Sequence, residues 1–432
     1  MKLRLKRIRL CLLIAFALLR TASVFAEDAP ETGEMPFIFC ESGRNCPMPI
    51  SSPFLLLRAA TFPFQATSDV IEKTPFLRKF FGYSTGTRKG FAFYPKAWLA
   101  DGNHFGGGLG VTALDLLAKD YKLQAEYLLF TNLGMRAKLI FGNPAAFRVW
   151  DRAFSFWFTN RYWKEFEQNF YGVGNNSDTA DHSVYAKDRL KTGARVGFEL
   201  VPRLVFSTNF GFDINQSGSG KGSLPSVEET FLRNQIPGFD QGIHYFVLGF
   251  RLDHDTRDHL ILSERGGRQW AMYERYQDLG GNEHSYNKID VNFEHFIRVW
   301  RPRYVLWLHN QWQFLERASA GEIPFYHLAI LDYDRGLRSF PGGRFRDKGS
   351  VVFNVEQRFP LWKRVDGAVF FDAGRVYSGI ENFSLKGFKR SLGGGIRARL
   401  GRNFLVVLDG AHGNEGFQVT VNILNIFDLL QY

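Results

Sequence analysis

Cysteine and methionine are scarce, with 3 and 5 in 432 residues. No second cysteine pair or closely spaced ligand pair exists, which excludes a structural zinc site of about four ligands. The chain also lacks any apolar run of about 18 residues, which excludes a membrane protein built from spanning helices. No Gly-x-Ser-x-Gly elbow and no phosphate-binding Walker loop is present, so hydrolase and nucleotidase readings have no anchor. Long amphipathic helices are missing too. Excess charge looks present, at +11. Yet Lys2, Arg4, Lys6, Arg7, Arg9 and Arg20 supply six of those charges before residue 27, leaving +5 for the rest. A nucleic-acid partner therefore has no support. Aromatics are plentiful, with 44 Phe, 16 Tyr and 9 Trp, and any fold must place them.

The first residues read as an export signal. A basic stretch from Lys2 to Arg9 precedes ten uncharged, mostly apolar residues, and Val24-Phe25-Ala26 fits a small-residue cleavage site. Residues 1–26 are read as the signal peptide and 27–89 as an N-terminal periplasmic segment with little periodicity. Cys11 leaves with the signal. Cys40 and Cys46 then form the only pair in the mature chain, and an oxidising compartment predicts a small disulfide loop between them.

From residue 90 onward the character of the chain alternates with period two. Leu123, Ala125, Tyr127 and Leu129 share one face, while Lys122, Gln124 and Glu126 share the other. Val351, Phe353, Val355, Phe359 and Leu361 likewise oppose Asn354, Glu356 and Arg358. Successive strand side chains point to opposite faces, so each such segment has one apolar and one wet side. A soluble β-protein of the periplasm offers the same alternation. Two features favour a transmembrane barrel instead: apolar faces that end in Tyr, Trp or Phe, and opposite faces that carry charges of both signs. A strand row facing lipid must also close on itself to leave no bare edge. Roughly 15 to 17 strands fit residues 90–432, and the preference of bacterial barrels for even counts selects 16. The fold class is thus all-β, an antiparallel transmembrane barrel. Long gaps at 170–182, 216–243 and 317–350 are expected as loops, the last folded inward.

Within that last gap, Leu337-Arg338-Ser339-Phe340-Pro341-Gly342-Gly343-Arg344-Phe345-Arg346-Asp347 packs three arginines and two phenylalanines around a glycine-rich turn. The next strands place Glu356 and Asp372 on their polar faces. An arginine loop inside the lumen would pair with those carboxylates, a contact worth about 1 kcal/mol in wet surroundings and more where water is excluded. These residues resemble the BamA/TamA-like bacterial surface antigens. Val355-Glu356-Gln357-Arg358-Phe359-Pro360-Leu361 and Phe370-Phe371-Asp372-Ala373-Gly374 are similar to that family's strand motifs. So are the turns at Asp255-Thr256-Arg257-Asp258 and Phe170-Tyr171-Gly172-Val173-Gly174-Asn175.

The resemblance implies a 16-stranded outer-membrane barrel that inserts or translocates a protein or lipid client, with Arg338 contacting Glu356 and Asp372. It implies outer-membrane lipids and an unfolded barrel or lipid client as partners, no cofactor and no catalysis. A passive or gated pore is the alternative function, and an outer-membrane enzyme a more distant one. Ser339 stands where the family carries glycine. The 63 residues of 27–89 lack the pattern of the family's periplasmic recruitment modules. Asp253-His254-Asp255 with Asp258 and His259 is the best catalytic candidate. Strand alternation sets it aside, because it sends His254 away from both aspartates.

Overall fold

The computed structural model describes residues 90–99, 105–116, 118–400 and 404–425. Residues 1–26, expected to be a signal peptide, the segment 27–89 and the cysteines Cys40 and Cys46 lie outside the described residues. Sixteen strands form one antiparallel sheet in which each pairs with its neighbours along the chain. They are β1 (Gly90–Leu99), β2 (Phe105–Leu114), β3 (Lys122–Phe130), β4 (Met135–Val149), β5 (Arg152–Phe170), β6 (Ser183–Val201), β7 (Leu204–Ser219) and β8 (Gly242–Asp255). After β9 (Gly266–Asp278), β10 (Tyr286–Arg298) and β11 (Val305–Arg317), the short strands β12 (Ala329–Leu331) and β13 (Phe345–Asp347) pair only with each other. The sheet resumes with β14 (Gly349–Pro360), β15 (Val365–Tyr377), β16 (Lys389–Leu400), β17 (Phe404–Gly413) and β18 (Gly416–Asn425). The count of 16 is reached because β11 pairs directly with β14 across the intervening loop.

The sheet curls until β1 and β18 meet, yet no strand ladder joins them among the described residues. Pro95 lies within β1. Proline has no N–H for a ladder and is tolerated on an edge strand.

Alternation in sequence becomes inside and outside in space. On β7, Phe206, Phe210, Phe212 and Ile214 are exposed while Ser207, Asp213, Asn215 and Ser217 are buried; Phe210 is 46% exposed and Asp213 0%. Phe371, Val369, Val355, Val419, Val421 and Ile423 continue the exposed apolar row on the C-terminal strands. Water would penalise that much exposed hydrocarbon, and lipid does not, so the belt marks the membrane-facing wall.

Long connections gather at one mouth: 171–182, 220–241, 318–348 and 378–388. The other mouth has short turns at 150–151, 202–203, 299–304 and 361–364, with 256–265 as its one longer connection among the described residues. An even strand number places Gly90 and Asn425 together at this short-turn mouth.

Candidate functional site

The loop between β11 and β14 turns into the lumen because its own residues favour a compact fold. Asp332 accepts hydrogen bonds from the backbone N–H of Arg335 (3.1 Å) and of Gly343 (2.7 Å), tying the two ends of the tip together. Burial raises the Asp332 carboxyl above its usual range, although those donors oppose the shift. Gly336 and Gly343 take φ values of 92° and 71°, a region in which a side chain is strained. A Cβ on Gly343 would also meet the carbonyl of Asn169. Leu331, Leu337, Phe340 and Phe345 pack with Val352 of β14 and Val376 of β15 into a small dry core. The two phenylalanine rings meet edge to face at 5.2 Å.

That core sets Arg338 against the wall. Its Nε and Nη2 donate to the two oxygens of Asp372 at 3.0 and 2.8 Å, and Nη1 donates to Glu356 at 2.7 Å. A longer contact of 3.4 Å reaches Asp409 on β17. The guanidinium lies over the Phe370 ring, 3.4 Å from its centroid. Arg397 of β16 bridges the other two carboxylates, donating to Glu356 at 2.7 Å and to Asp409. Arg358 stands 4.0 Å from Glu356. Three arginines thus balance three carboxylates, and Asp372 is fully buried. Burial disfavours the Arg338 charge, but Asp372, Glu356 and Asp409 outweigh it and raise its pKa. Every residue of the cluster is at most 9% exposed, which shields it from bulk water. The 1 kcal/mol of a wet lumen therefore does not apply, and removing one partner of such a cluster costs about 3–5 kcal/mol.

Two features around this cluster were not read from the sequence. Asp409 and Arg397 sit on strands whose alternation shows only that they face inward, not what they face. The glycine run in β16 makes room for them: a side chain on Gly395 would collide with Asp409, and one on Gly393 with the Phe370 ring. Ser339 causes no backbone strain, since its φ is not positive. Its hydroxyl pairs with that of Ser391 at 2.6 Å, and Gly413 supplies the space it occupies.

The remaining loop residues act elsewhere. Arg344 makes a two-pronged contact with Glu415 in the β17–β18 turn, at 2.7 and 2.8 Å, and donates to the Ser177 hydroxyl and carbonyl at 2.8 and 2.7 Å. It therefore joins the loop to both the 171–182 connection and the last hairpin. Arg346 is 1% exposed and bonds no carboxylate among the described residues. It donates to the Asn169 carbonyl at 2.8 Å and lies over the Phe170 ring. The Gly342 carbonyl accepts from Asn169. Asp347 stays out of the arginine cluster, accepting the Lys348 N–H, and burial raises its pKa.

Above the cluster, the long-loop mouth is roofed by aromatic packing. Ile323, Phe325, Tyr326 and Leu328 of the inward loop meet Val227, Ile236 and Phe239 of the 220–241 connection and Tyr245, Tyr276 and Tyr286 from β8–β10. His327 accepts or donates at both nitrogens, 2.6 Å from the Tyr286 hydroxyl and 3.1 Å from Asn215. Burial first, then the nearby Arg189, holds it well below the usual histidine pKa. Below the roof, Arg189 of β6 forms a two-pronged pair with Asp213 of β7. A cavity of about 120 Å³ lies against β5–β9, on a different stretch of wall from the Arg338 cluster. Asp253 bonds Arg251 and Arg268, and Asp255 bonds Arg257. The aspartates beside His254 are thus structural partners of arginines. No group of three or more potential metal ligands converges among the described residues.

No curated protein sequence matches this chain. Among solved structures, the fold is similar to BamA from Haemophilus ducreyi lacking POTRA domains 1-3, with 14% identity and a TM-score of 0.58 over 78% of this chain and 71% of that one. It is also similar to CdiB from Acinetobacter baumannii, with 9% identity and a TM-score of 0.48 over 78% and 59% of the two chains. Identities this low speak to fold alone. The Omp85 superfamily domain matches residues 138–411, well over half the chain. With an apolar outer wall, a charged lumen and an inward arginine loop, this chain belongs to the Omp85 superfamily of outer-membrane barrels.

Proposed function

We propose that this barrel inserts or translocates a protein client at the outer membrane, with the inward loop acting as a latch and the β1–β18 meeting as the place where the wall opens. The observation that carries this is the contrast in backbone pairing around the sheet. Among the described residues, fifteen neighbouring pairs are laddered, and the sixteenth, between β1 and β18, is in contact without a ladder. An unladdered pair of edges offers strand hydrogen-bonding groups to an incoming strand, and parting it breaks few bonds. The Arg338 cluster supports the latch, since it holds a loop in the space an open pore would need.

Proteoliposomes test the reading. Adding this protein should speed folding of a model barrel client into the bilayer, measured by its heat-modifiable mobility. No acceleration over empty liposomes would overturn it. A passive pore would instead give large, steady current steps in a planar bilayer, where the latched barrel gives small and irregular ones.

A further inference from the structure

The short-turn mouth carries a concentrated basic and aromatic patch on one sector. The β10–β11 turn reads Val299-Trp300-Arg301-Pro302-Arg303 and the β14–β15 turn Leu361-Trp362-Lys363-Arg364. The two turns are neighbours because β11 pairs with β14, and they are fastened together. Arg303 donates to the carbonyls of Trp362 and Val365 and, at 2.7 Å, to Asp366. Arg399 at the end of β16 joins from the other side, donating from its guanidinium to the Lys363 carbonyl and from its backbone N–H to that of Arg364. It also stands 3.6 Å from Asp366.

Among the described residues, these turns and their flanks gather the cations Arg298, Arg301, Arg303, Lys363, Arg364 and Arg399 around the carboxylates Glu264 and Asp366. Both carboxylates are already engaged by Arg298, Arg303 and Arg399. Asp366 is buried beneath the patch, whereas Arg301, Lys363 and Trp300 are exposed, Trp300 to 78%. Arg303 holds a left-handed φ of 74° within this network. A bulky residue there is strained and persists only where surrounding contacts fix it. The turns form a built surface, with Arg303 and Asp366 holding it from within and Arg301 and Lys363 presented outward.

We propose that this patch binds the phosphate headgroups of anionic phospholipids. Position selects lipid over other acidic partners. The patch continues directly from the membrane-facing apolar row, through exposed Ile297 and Val299 on one side and Val355 and Val369 on the other. That places it at headgroup depth, where indole rings settle and basic side chains meet phosphate oxygens. A guanidinium fork matches a phosphate in two-pronged fashion, and each basic residue adds attraction to an anionic leaflet.

The test uses the full chain, exchanged from detergent with an equal mixture of phosphatidylglycerol and phosphatidylcholine, with retained lipids counted by native mass spectrometry. The wild type should retain the anionic lipid preferentially. The exposed double reversal Arg301→Glu with Lys363→Glu should lower that preference by about tenfold. The reversal Lys386→Glu at the opposite mouth should leave it unchanged. Heat-modifiable mobility confirms that each variant is folded. Equal retention of both lipids by the wild type, or an undiminished preference in the double reversal, overturns the proposal. So does displacement of the lipid by soluble polyglutamate, which would assign the patch to an acidic polypeptide. Because no client is present, this outcome is independent of whether the barrel inserts proteins.

Discussion

The same loop is held at two points by opposite physics. Near its tip, Arg338 enters a balanced cluster of charges walled by β14–β17. Near its start, Phe325, Tyr326 and Leu328 enter a largely apolar and aromatic roof, whose neighbouring cations, Arg346 and Lys187, lie against rings and carbonyls rather than in a carboxylate cluster. Charges fix direction, because a guanidinium fork and a carboxylate pair fit in one geometry. Apolar packing fixes proximity and tolerates rearrangement, because burial of hydrocarbon is not directional. A loop pinned at one end by geometry and at the other by area can release the first while keeping the second. The difference suits a latch hinged at the mouth.

Breaking the directional point should have the largest effect. Arg338→Ala leaves Asp372 and Glu356 buried with less compensation. It should cost about 3–5 kcal/mol in denaturant unfolding of the folded barrel, with a rise in single-channel conductance. Adding Asp372→Asn to it should recover part of that loss, since the orphaned charge disappears. If Arg338→Ala changes neither stability nor conductance, the cluster does not hold the loop.

Phe325→Ala attacks the roof and should cost about 3–5 kcal/mol, the range for a buried phenylalanine. Its cost should be independent of salt. Combined with Arg338→Ala it should add within about 0.5 kcal/mol if the two points are separate. A large coupling would merge them into one unit and dissolve the comparison.

Glu415→Gln removes the carboxylate gripped by Arg344 and should cost about 1–2 kcal/mol, because the glutamate side chain is only partly shielded. Its specific sign is faster amide exchange in the β17–β18 turn without change in the roof.

The smallest effect is on pH. His327 is neutral in the folded roof and its pKa is depressed there by burial. The unfolded chain therefore takes up a proton near the usual value of about 6.5 while the folded chain does not. This contribution to stability is present above that pH and is lost as pH falls toward the folded value. The unfolding midpoint should drop between pH 7 and 5, and His327→Gln should flatten that part of the profile. A profile that stays the same in the variant would remove His327 from the account.

Much of the wall was legible in the chain. Alternation in 122–131 and through 353–358 separates outward from inward residues, because the pleat has a period of two whatever surrounds it, whereas Val351 and Leu361, read on the same outward face, are covered by neighbouring structure. The arginine loop stood out as Arg338, Arg344 and Arg346 crowded among glycines, though that pattern gives the three no separate roles. One joins the carboxylate cluster, one grips Glu415, and one lies among carbonyls and rings. Nothing local distinguishes them, since each role depends on a residue between 18 and 177 positions away.

The sequence by itself determined the strand period, the inward and outward faces and the loop that would leave the sheet. These are properties of a residue and its near neighbours. Only the tertiary structure decided that Asp409 and Arg397 complete the Arg338 cluster, that Gly393, Gly395 and Gly413 hollow the wall to admit it, and that the 220–241 connection roofs the mouth. Those depend on the curl of the sheet, which brings distant positions to one point, and curl is a sum over all sixteen strands that no single segment records.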